Sequence, residues 1–440
     1  MEKMLLYSPL AGPRLRYIAS HLVTEILGLD LQIVSSVRDI AGTERPFINY
    51  SAAHFPAGVN IIPCGLLDEK GITGKPVRAG RHNGLPVLFR TAGVDDTGFD
   101  ILAASFFMLS RYEEYLPFKK DRHGRFPLAE SIAYRNGFHM EPLVEQWAGE
   151  LKKAILRKFP AVVFPAREFR YIPTIDIDIP WAYKDRSLLR TSGGFARALL
   201  KGDINDIVSR YRVLAGGDQD PYDTFSHIFR LHDEAGLKPL FFLSAGTYSR
   251  YDKCVPLNSP QYRKLVREIS LRYHTGIHPS YYSAIDGELM GKEIKILSHA
   301  TERPVSGSRQ HYLRLRMPET YRLLDDNGIT DDYTMGWAEA PGFRACTCTP
   351  FLFYDLMRER STNLRIWPFQ IMDGSFTDYM HTDPLQSESL ALNIIRKIGE
   401  AGGTLITLWH NESFCGKGRW KNRENLYLNI IKEAALWVKK

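Results

Sequence analysis

Two aspartates separated by one residue, Asp176 and Asp178, have the clearest chemical potential in the sequence. They lie in the run YIPTIDIDIPW at positions 171–181, whose β-favouring residues predict a strand. Because side chains alternate between the faces of an extended chain, both carboxylates should point to one side. Two close like charges destabilise each other unless a cation or a proton intervenes. The pair is therefore either a solvated strand end or part of a cation site.

Two histidines, His274 and His278, lie four residues apart in the run YHTGIHPS. On a helix this spacing would place both rings on one face, as in many zinc sites. Gly276 and Pro279 instead predict a strand or loop, so a bend would have to bring the two rings together. One aspartate and two histidines form a three-ligand set that leaves a coordination position for water, which is typical of catalytic zinc sites.

Three later stretches also place polar residues at predicted strand ends. They are SRQHYLR at 308–314, DDYTMGW at 331–337 and GTLITLWHN at 403–411. In the last of these, an apolar strand ends in Trp409, His410 and Asn411. A histidine in this position is either a capped core residue or a group that faces a site at the sheet edge.

Taken in order, the motifs D-x-D, H-x-x-x-H, R-x-x-Y, an aspartate and L-x-H resemble the polysaccharide deacetylases of the NodB-homology class, which are carbohydrate esterases. The resemblance covers roughly residues 168–440 and is to the branch that opens with D-x-D. It implies a distorted (β/α) barrel and a divalent metal ion, with zinc as the first candidate. It also implies hydrolytic removal of N- or O-linked acetyl groups from a polysaccharide or glycan substrate.

The resemblance implies a role for each matching residue. Asp176 would be the general base, and Arg309 of the RQHY run would hold it in place. Asp178, His274 and His278 would bind the metal ion.

Other implied roles concern the later motifs. The backbone N–H of Tyr312 would face the oxyanion, in a motif where His311 replaces the usual proline. His410 would be the general acid. Asp332 is the first candidate for the carboxylate that supports His410, with Asp331 and Asp373 as alternatives. The candidates for substrate contacts are Tyr312, Trp409, Asn411 and Arg344.

The elements that must position these residues differ between the two parts of the chain. Residues 1–160 combine short strands with amphipathic helices and predict an accessory α/β domain, followed by a proline-containing linker at 160–165. Residues 167–440 alternate strands with helices, which predicts a parallel sheet or barrel. The strand candidates are 170–176, 240–243, 276–279, 344–346, 364–368 and 405–410. In such folds the chemistry lies at the carboxyl ends of the strands.

Composition limits the partners and the compartment. The net charge is +7, yet no dense Lys/Arg stripe with interleaved aromatic residues predicts nucleic-acid binding. Five cysteines without a regular framework favour reduced thiols. No apolar run is long enough for a membrane span, and the first residues do not resemble a signal peptide. We therefore expect a cytoplasmic protein, whose oligomeric state the sequence leaves open.

Two other functions fit parts of the pattern. The first is a catalytically altered carbohydrate-binding protein of surface-polysaccharide assembly, which the replacement at His311 and the large N-terminal part favour. The second is another metal hydrolase, such as a phosphoesterase, for which the positive net charge is the only support.

Overall fold

The structure, a computed structural model, describes residues 3–91, 93 and 95–438. The first part of the chain contains short strands and four α-helices among its described residues. Its elements are β1 (Lys3–Tyr7), α1 (Pro13–Ala19), β2 (Asp30–Val34), β3 (Phe47–Tyr50), β4 (Val59–Ile61), β5 (Ala79–His82), β6 (Leu85–Leu88), α2 (Ile101–Leu109), α3 (Ile132–Arg135) and α4 (Leu143–Lys158). A π-helical segment, Ser20–Ile26, continues α1, and 3₁₀ turns lie at Val37–Asp39, Tyr112–Tyr115 and Leu128–Glu130.

Strands β1 to β4 form a parallel sheet in the order β2-β1-β3-β4, and β5 and β6 form a separate antiparallel pair. Helix α2 is buried along its whole length, as expected from its almost uniformly apolar sequence. The helix ends at Leu109, and Arg111 then adopts a left-handed backbone conformation (φ 52°) before the 3₁₀ turn at Tyr112–Tyr115.

The second part of the chain alternates strands with helices. Its elements are β7 (Arg170–Ile177), α5 (Leu188–Leu200), α6 (Ile204–Leu214), α7 (Phe225–Glu234), β8 (Leu240–Ser244), α8 (Pro260–Arg272), β9 (Thr275–His278), α9 (Gly287–Thr301), β10 (Gly307–Ser308), α10 (Glu319–Asp326), β11 (Asp331–Asp332), β12 (Phe351–Asp355), β13 (Arg360–Ile366), β14 (Ile371–Met372), α11 (Pro384–Ala401), β15 (Thr404–His410) and α12 (Glu424–Val438). A π-helical segment lies at Ser375–Tyr379, and 3₁₀ turns lie at Ser283–Ile285, His311–Leu313, Asn411–Phe414 and Gly418–Trp420.

Within the described residues, nine of these strands form one sheet in the order β12-β13-β11-β10-β9-β8-β7-β15-β14. The pairs are parallel except for the β12–β13 hairpin. The predicted mixed α/β class is confirmed. The predicted (β/α) barrel is not, because the sheet ends at β12 on one side and at β14 on the other and stays open.

The two parts of the chain share one continuous apolar core, which includes Leu22 and Phe106 from the first part and Phe353 and Leu364 from the second. The division into domains at 1–160 and 167–440 therefore remains a prediction. Within the described residues, no helix is both long and apolar enough to cross a lipid bilayer.

A buried group of charges also joins the two parts. Arg344 pairs with Glu114 at 2.7 Å, and Arg111 pairs with the same carboxylate at 2.8 Å. The predicted strand at 344–346 is wrong, since these residues lie in a turn region. The predicted contact of Arg344 with substrate is also wrong, because its guanidinium is buried against Glu114 and the ring of Trp337. The charges of Arg344 and Glu114 compensate each other. Removing either side chain would leave an unpaired buried charge, at a large cost in folding free energy.

Candidate active site

The register of the large sheet brings the candidate residues to one edge. Strand β7 lies between β15 and β8, and Asp176 pairs in register with His410. His278 ends β9, two strands away from β7. Asp178 follows directly after the last residue of β7. Because the neighbouring strands are parallel, their carboxyl ends deliver these side chains to the same place.

Asp176 and Arg309 form a buried ion pair at the centre of this edge. Arg309 Nη1 lies 2.9 Å from Asp176 Oδ1, and both side chains are almost completely buried. The same nitrogen donates to Thr174 Oγ1 at 2.5 Å, and Arg309 Nε donates to the carbonyl oxygen of Tyr333 at 3.0 Å. Such a pair compensates the charge of the buried carboxylate and fixes its orientation.

Asp178, His278 and His311 form a group that could hold a metal ion. Their ligand atoms all lie within 4.8 Å of one another. Asp178 Oδ1 is 3.0 Å from His278 Nε2, and Asp178 Oδ2 is 3.4 Å from His311 Nε2. His278 Nδ1 donates to the carbonyl oxygen of Arg309 at 2.7 Å, and His311 Nδ1 donates to Asp252 Oδ1 at 2.8 Å. Hydrogen bonds of this kind orient an imidazole and present its other nitrogen as a ligand.

The chemistry of this donor set fits a divalent metal ion. Asp178 Oδ1 is buried and accepts no well-aligned hydrogen bond, although His278 Nε2 lies 3.0 Å from it, so its capacity as an acceptor is not fully used by the protein. The two Nε2 atoms and one carboxylate oxygen are ligands that zinc prefers, and three protein ligands leave a position for water. Asp178, His278 and His311 would hold the ion.

The prediction that His274 joins this group is wrong. His274 is exposed and precedes β9, whereas His278 is buried at the other end of that strand. Four residues of extended chain separate two side chains by roughly 13 Å, at about 3.3 Å per residue. The position is taken by His311, which the sequence analysis noted only as the replacement of a proline. A histidine inside the RQHY run, next to the predicted strand end, was the available signal.

The charges within the group reinforce one another. Although burial acts to raise it, the neighbouring His311 and His278 hold the pKa of Asp178 well below its usual value. Burial acts to lower the pKa of His311, but Asp178 and Asp252 raise it to about 9. The protein without metal therefore stabilises a carboxylate and a protonated imidazole here, and a bound cation would replace that proton.

His410 faces the same group from β15 and is supported by Asp373. Its Nε2 lies 3.8 Å from Asp178 Oδ2. Its Nδ1 donates to Asp373 Oδ1 at 2.9 Å, and its backbone N–H donates to Asp373 Oδ2 at 2.8 Å. Burial acts to lower the pKa of His410, but Asp373, Asp178 and Asp176 raise it well above its usual value. The imidazolium form is thus favoured.

The prediction that Asp332 supports His410 is wrong. The Asp332 carboxylate accepts hydrogen bonds from the backbone and hydroxyl of Thr334 at 2.9 and 2.7 Å, and burial raises its pKa to about 6. Asp331, the other alternative, accepts a hydrogen bond from Trp367 Nε1 at 2.7 Å. Both acids belong to β11, four strands from β7 in the strand order, whereas Asp373 directly follows β14 beside β15.

The candidate residues enclose a cavity of about 860 Å³, which is within the size range of small-molecule sites. The first part of the chain contributes Arg122 and Arg125 to its lining, and no motif in the sequence predicts this contribution. Arg125 Nη1 donates to the carbonyl oxygen of Tyr312 at 2.7 Å, and Tyr312 has a left-handed backbone (φ 58°). Tyr312 lines the cavity, and its contact with substrate stays a prediction.

Trp409 and Asn411 do not line this cavity, so their predicted contacts with substrate are wrong. Trp409 alternates to the opposite face of β15 from His410 and packs on the ring of Tyr427. The buried side chain of Asn411 donates to the carbonyl oxygens of Ile179 and Tyr222 at 3.1 and 3.0 Å. Both side chains therefore contact neighbouring protein groups at the end of β15 and do not face the cavity.

We expect His311→Ala to reduce zinc affinity by more than about 100-fold, because losing a ligand should exceed the 10- to 100-fold cost of losing a residue that orients one. His274→Ala is the matched control and should bind zinc as the unmodified protein does. Competition with a chromogenic chelator measures both affinities, and circular dichroism checks that each variant folds. Equal losses in the two variants would contradict the assignment.

Asp373→Asn should lower the pKa of His410, because it removes the negative charge that stabilises the imidazolium. NMR titration of histidine-labelled protein measures this pKa directly. Asp331→Asn is the matched control. It removes a carboxylate that does not contact His410, so it should leave the pKa of His410 unchanged. A His410 titration that moves with Asp331 rather than Asp373 would refute the pairing.

Comparison with known proteins gives partial matches. Residues 4–160 match a family of unknown function, DUF7033. No curated protein sequence matches the chain significantly. A proposed polysaccharide deacetylase from Mycobacterium smegmatis is similar over 61% of this chain and 86% of its own, with 14% identity and a TM-score of 0.40. A probable polysaccharide deacetylase from Pseudomonas aeruginosa PAO1 gives the same values. The PuuE allantoinase matches over 61% and 85%, with 13% identity and a TM-score of 0.38.

Proposed function

We propose that this protein is a metal-dependent hydrolase that removes N- or O-linked acetyl groups from a glycan. The observation that carries the proposal is the convergence of two differently charged groups on one potential metal site. Asp176 is paired with Arg309, and His410 is paired with Asp373. Both lie beside Asp178 and its two histidines. A hydrolase needs a base and an acid whose surroundings favour opposite protonation states.

A divalent ion held by Asp178, His278 and His311, with zinc as the first candidate, would polarise the acetyl carbonyl and lower the pKa of water toward neutrality. The chain itself supplies the orientation of these ligands. Arg309 fixes His278 through its carbonyl oxygen, and Asp252 fixes His311 through its carboxylate. The positions of both rings are thus set before any ligand arrives.

Asp176 is the proposed general base. Arg309 binds Asp176 Oδ1, while Oδ2 lies 3.9 Å from His278 Nδ1, and the residue lines the cavity. The Arg309 guanidinium stabilises the carboxylate, which can accept a proton from the attacking water at the free oxygen. The Asp176 side chain is almost completely buried, and its ion pair with Arg309 holds the carboxylate in one orientation.

His410 is the proposed general acid. Its Nδ1–H is held by Asp373, which leaves Nε2 directed toward the same region as Asp178. In the imidazolium form, Nε2–H can donate a proton to the departing amine or alcohol oxygen of the sugar. The backbone N–H of Tyr312 remains the proposed donor to the oxyanion, in a turn that Arg125 stabilises.

The alternatives have less support. A carbohydrate-binding protein needs neither a compensated buried carboxylate nor a supported histidine beside a metal site. Among the described residues, Asp178, His278 and His311 are the one group of His, Cys, Asp and Glu ligands found to be close enough for a metal ion. A two-metal phosphoesterase would need a second such group.

We expect zinc-loaded protein to release acetate from partially acetylated oligosaccharides, with N-acetylated chito-oligosaccharides and O-acetylated xylo-oligosaccharides as the two linkage types. Asp176→Asn should lower kcat/KM by about 10²- to 10⁴-fold, the usual contribution of a general base. Zinc content should stay the same, because Asp176 is not a proposed ligand. Acetate release measured enzymatically checks the rate, and atomic absorption checks the metal.

His410→Gln is the second variant, in case the unpaired Arg309 destabilises Asp176→Asn. Asp331→Asn is the matched control and should keep full activity. Acetate release that persists in both Asp176→Asn and His410→Gln would contradict the mechanism. If the zinc-loaded protein released no acetate from any acetylated glycan, neutral or acidic, the proposed activity would be wrong.

A further inference from the structure

A second groove of about 960 Å³ leads away from the catalytic cavity. The two spaces are continuous, since they share six lining residues: Asp178, His311, Tyr312, Glu412, Arg419 and Trp420. The outer wall of the groove comes from the segment after β7 and from α5 and α6. Gly202, with a left-handed φ of 67°, and the capping Asp203 turn the chain between these two helices. A polymer bound at the catalytic cavity could therefore extend along this groove.

The groove has more cations than its own carboxylates can balance. Arg210 pairs with Asp206 at 3.0 Å, and Arg419 pairs with Glu412 at 2.6 Å. The remaining carboxylate, Asp178, belongs to the potential metal group. Among the described residues, five further cations of the lining have no carboxylate within 4.0 Å: Arg186, Arg197, Lys201, Lys253 and Lys417.

Arg186 is the most informative of these cations, because it is half-buried without a counter-ion. Its one hydrogen bond, from Nη2 to the carbonyl oxygen of Trp181, is long at 3.5 Å. The nearby Asp220 is occupied by backbone N–H groups, including those of Ala182 and Tyr183 at 2.7 and 2.8 Å.

The surroundings of Arg186 therefore disfavour its charge. Burial, together with the charges of Arg190 and Arg210, lowers the pKa of Arg186 below its usual value, although Asp220 and Tyr222 act to raise it. A buried charge without a partner is costly, and a bound anion would remove that cost. A guanidinium also binds carboxylate, sulfate and phosphate groups through two parallel hydrogen bonds.

We propose that this groove binds acidic groups of the substrate, so that the acetylated glycan is an anionic polysaccharide. Its carboxylate, sulfate or phosphate groups lie on the sugar units that extend from the catalytic cavity toward Arg186. The inference rests on the proposed function, since it assigns the substrate class of the same site. Because the groove is continuous with the cavity, the proposed binding occurs at one defined place and is not a general effect of the positive net charge.

Partially acetylated oligogalacturonate should have a lower KM than partially acetylated xylo-oligosaccharide, which is neutral. The triple variant Arg186→Gln/Arg197→Gln/Lys253→Gln should raise the KM for oligogalacturonate about 10- to 100-fold, as expected for the loss of three partly exposed ion pairs. The kcat, and the KM for the neutral substrate, should stay the same. Added salt should raise the KM for the acidic substrate only, because ions screen the attraction between opposite charges.

The matched control is Lys295→Gln/Arg303→Gln/Lys432→Gln, which removes three exposed cations that do not line the groove. It changes the net charge equally and should leave both KM values unchanged. Equal KM values for the acidic and neutral substrates in the unmodified protein would overturn the inference. So would an equal effect of the two triple variants.

Binding without turnover separates this inference from the proposed activity. Titration calorimetry with unacetylated oligogalacturonate, and with a sulfated oligosaccharide, should show binding that the groove variant loses and the control keeps. Binding of either probe supports the inference, and the tighter one identifies the anionic group. That pattern, in a protein that releases no acetate, would refute the activity alone. Tighter binding of a single-stranded oligonucleotide than of both glycans would overturn the assignment to a glycan.

Discussion

The buried guanidinium of Arg309 connects the parts of the candidate site. It donates to Asp176, Thr174 and the carbonyl oxygen of Tyr333, and its own carbonyl oxygen accepts the Nδ1–H of His278. One residue thus positions both the proposed base and a proposed metal ligand. Because a buried charge must be compensated, neither Arg309 nor Asp176 can move independently. The strand ends around them, and the wall of the cavity that Asp176 lines, depend on this pair.

The sequence predicts the faces of strands better than the contacts between loops. The alternation of β7 correctly places Asp176 with its charge toward the site and Ile175 in the core. It cannot show which of His274, His278 and His311 meet, because that depends on strand register and on a turn with a left-handed residue. The four-residue spacing of His274 and His278 places both side chains on one face of an extended chain, but it does not bring the two rings close together.

The same limit explains the errors in the fold and in the substrate contacts. Alternating strands and helices identify a parallel sheet, but whether it closes depends on pairing between distant strands such as β12 and β14. Arg344 and Asn411 are polar and lie beside the ends of predicted strands. In the structure, however, Arg344 binds the Glu114 carboxylate and Asn411 donates to the carbonyl oxygen of Ile179. Asp373 directly follows a strand of two residues, β14, which is too short to produce a periodic pattern.

A direct determination of the metal site tests the central claim. Anomalous diffraction at the zinc edge, from crystals of zinc-loaded protein, should show one ion bound by Asp178, His278 and His311. Its distances to the histidine nitrogens should be about 2.0–2.1 Å, and His274 should remain exposed. An ion bound through His274, or zinc-loaded crystals without an ion at Asp178, would contradict the account.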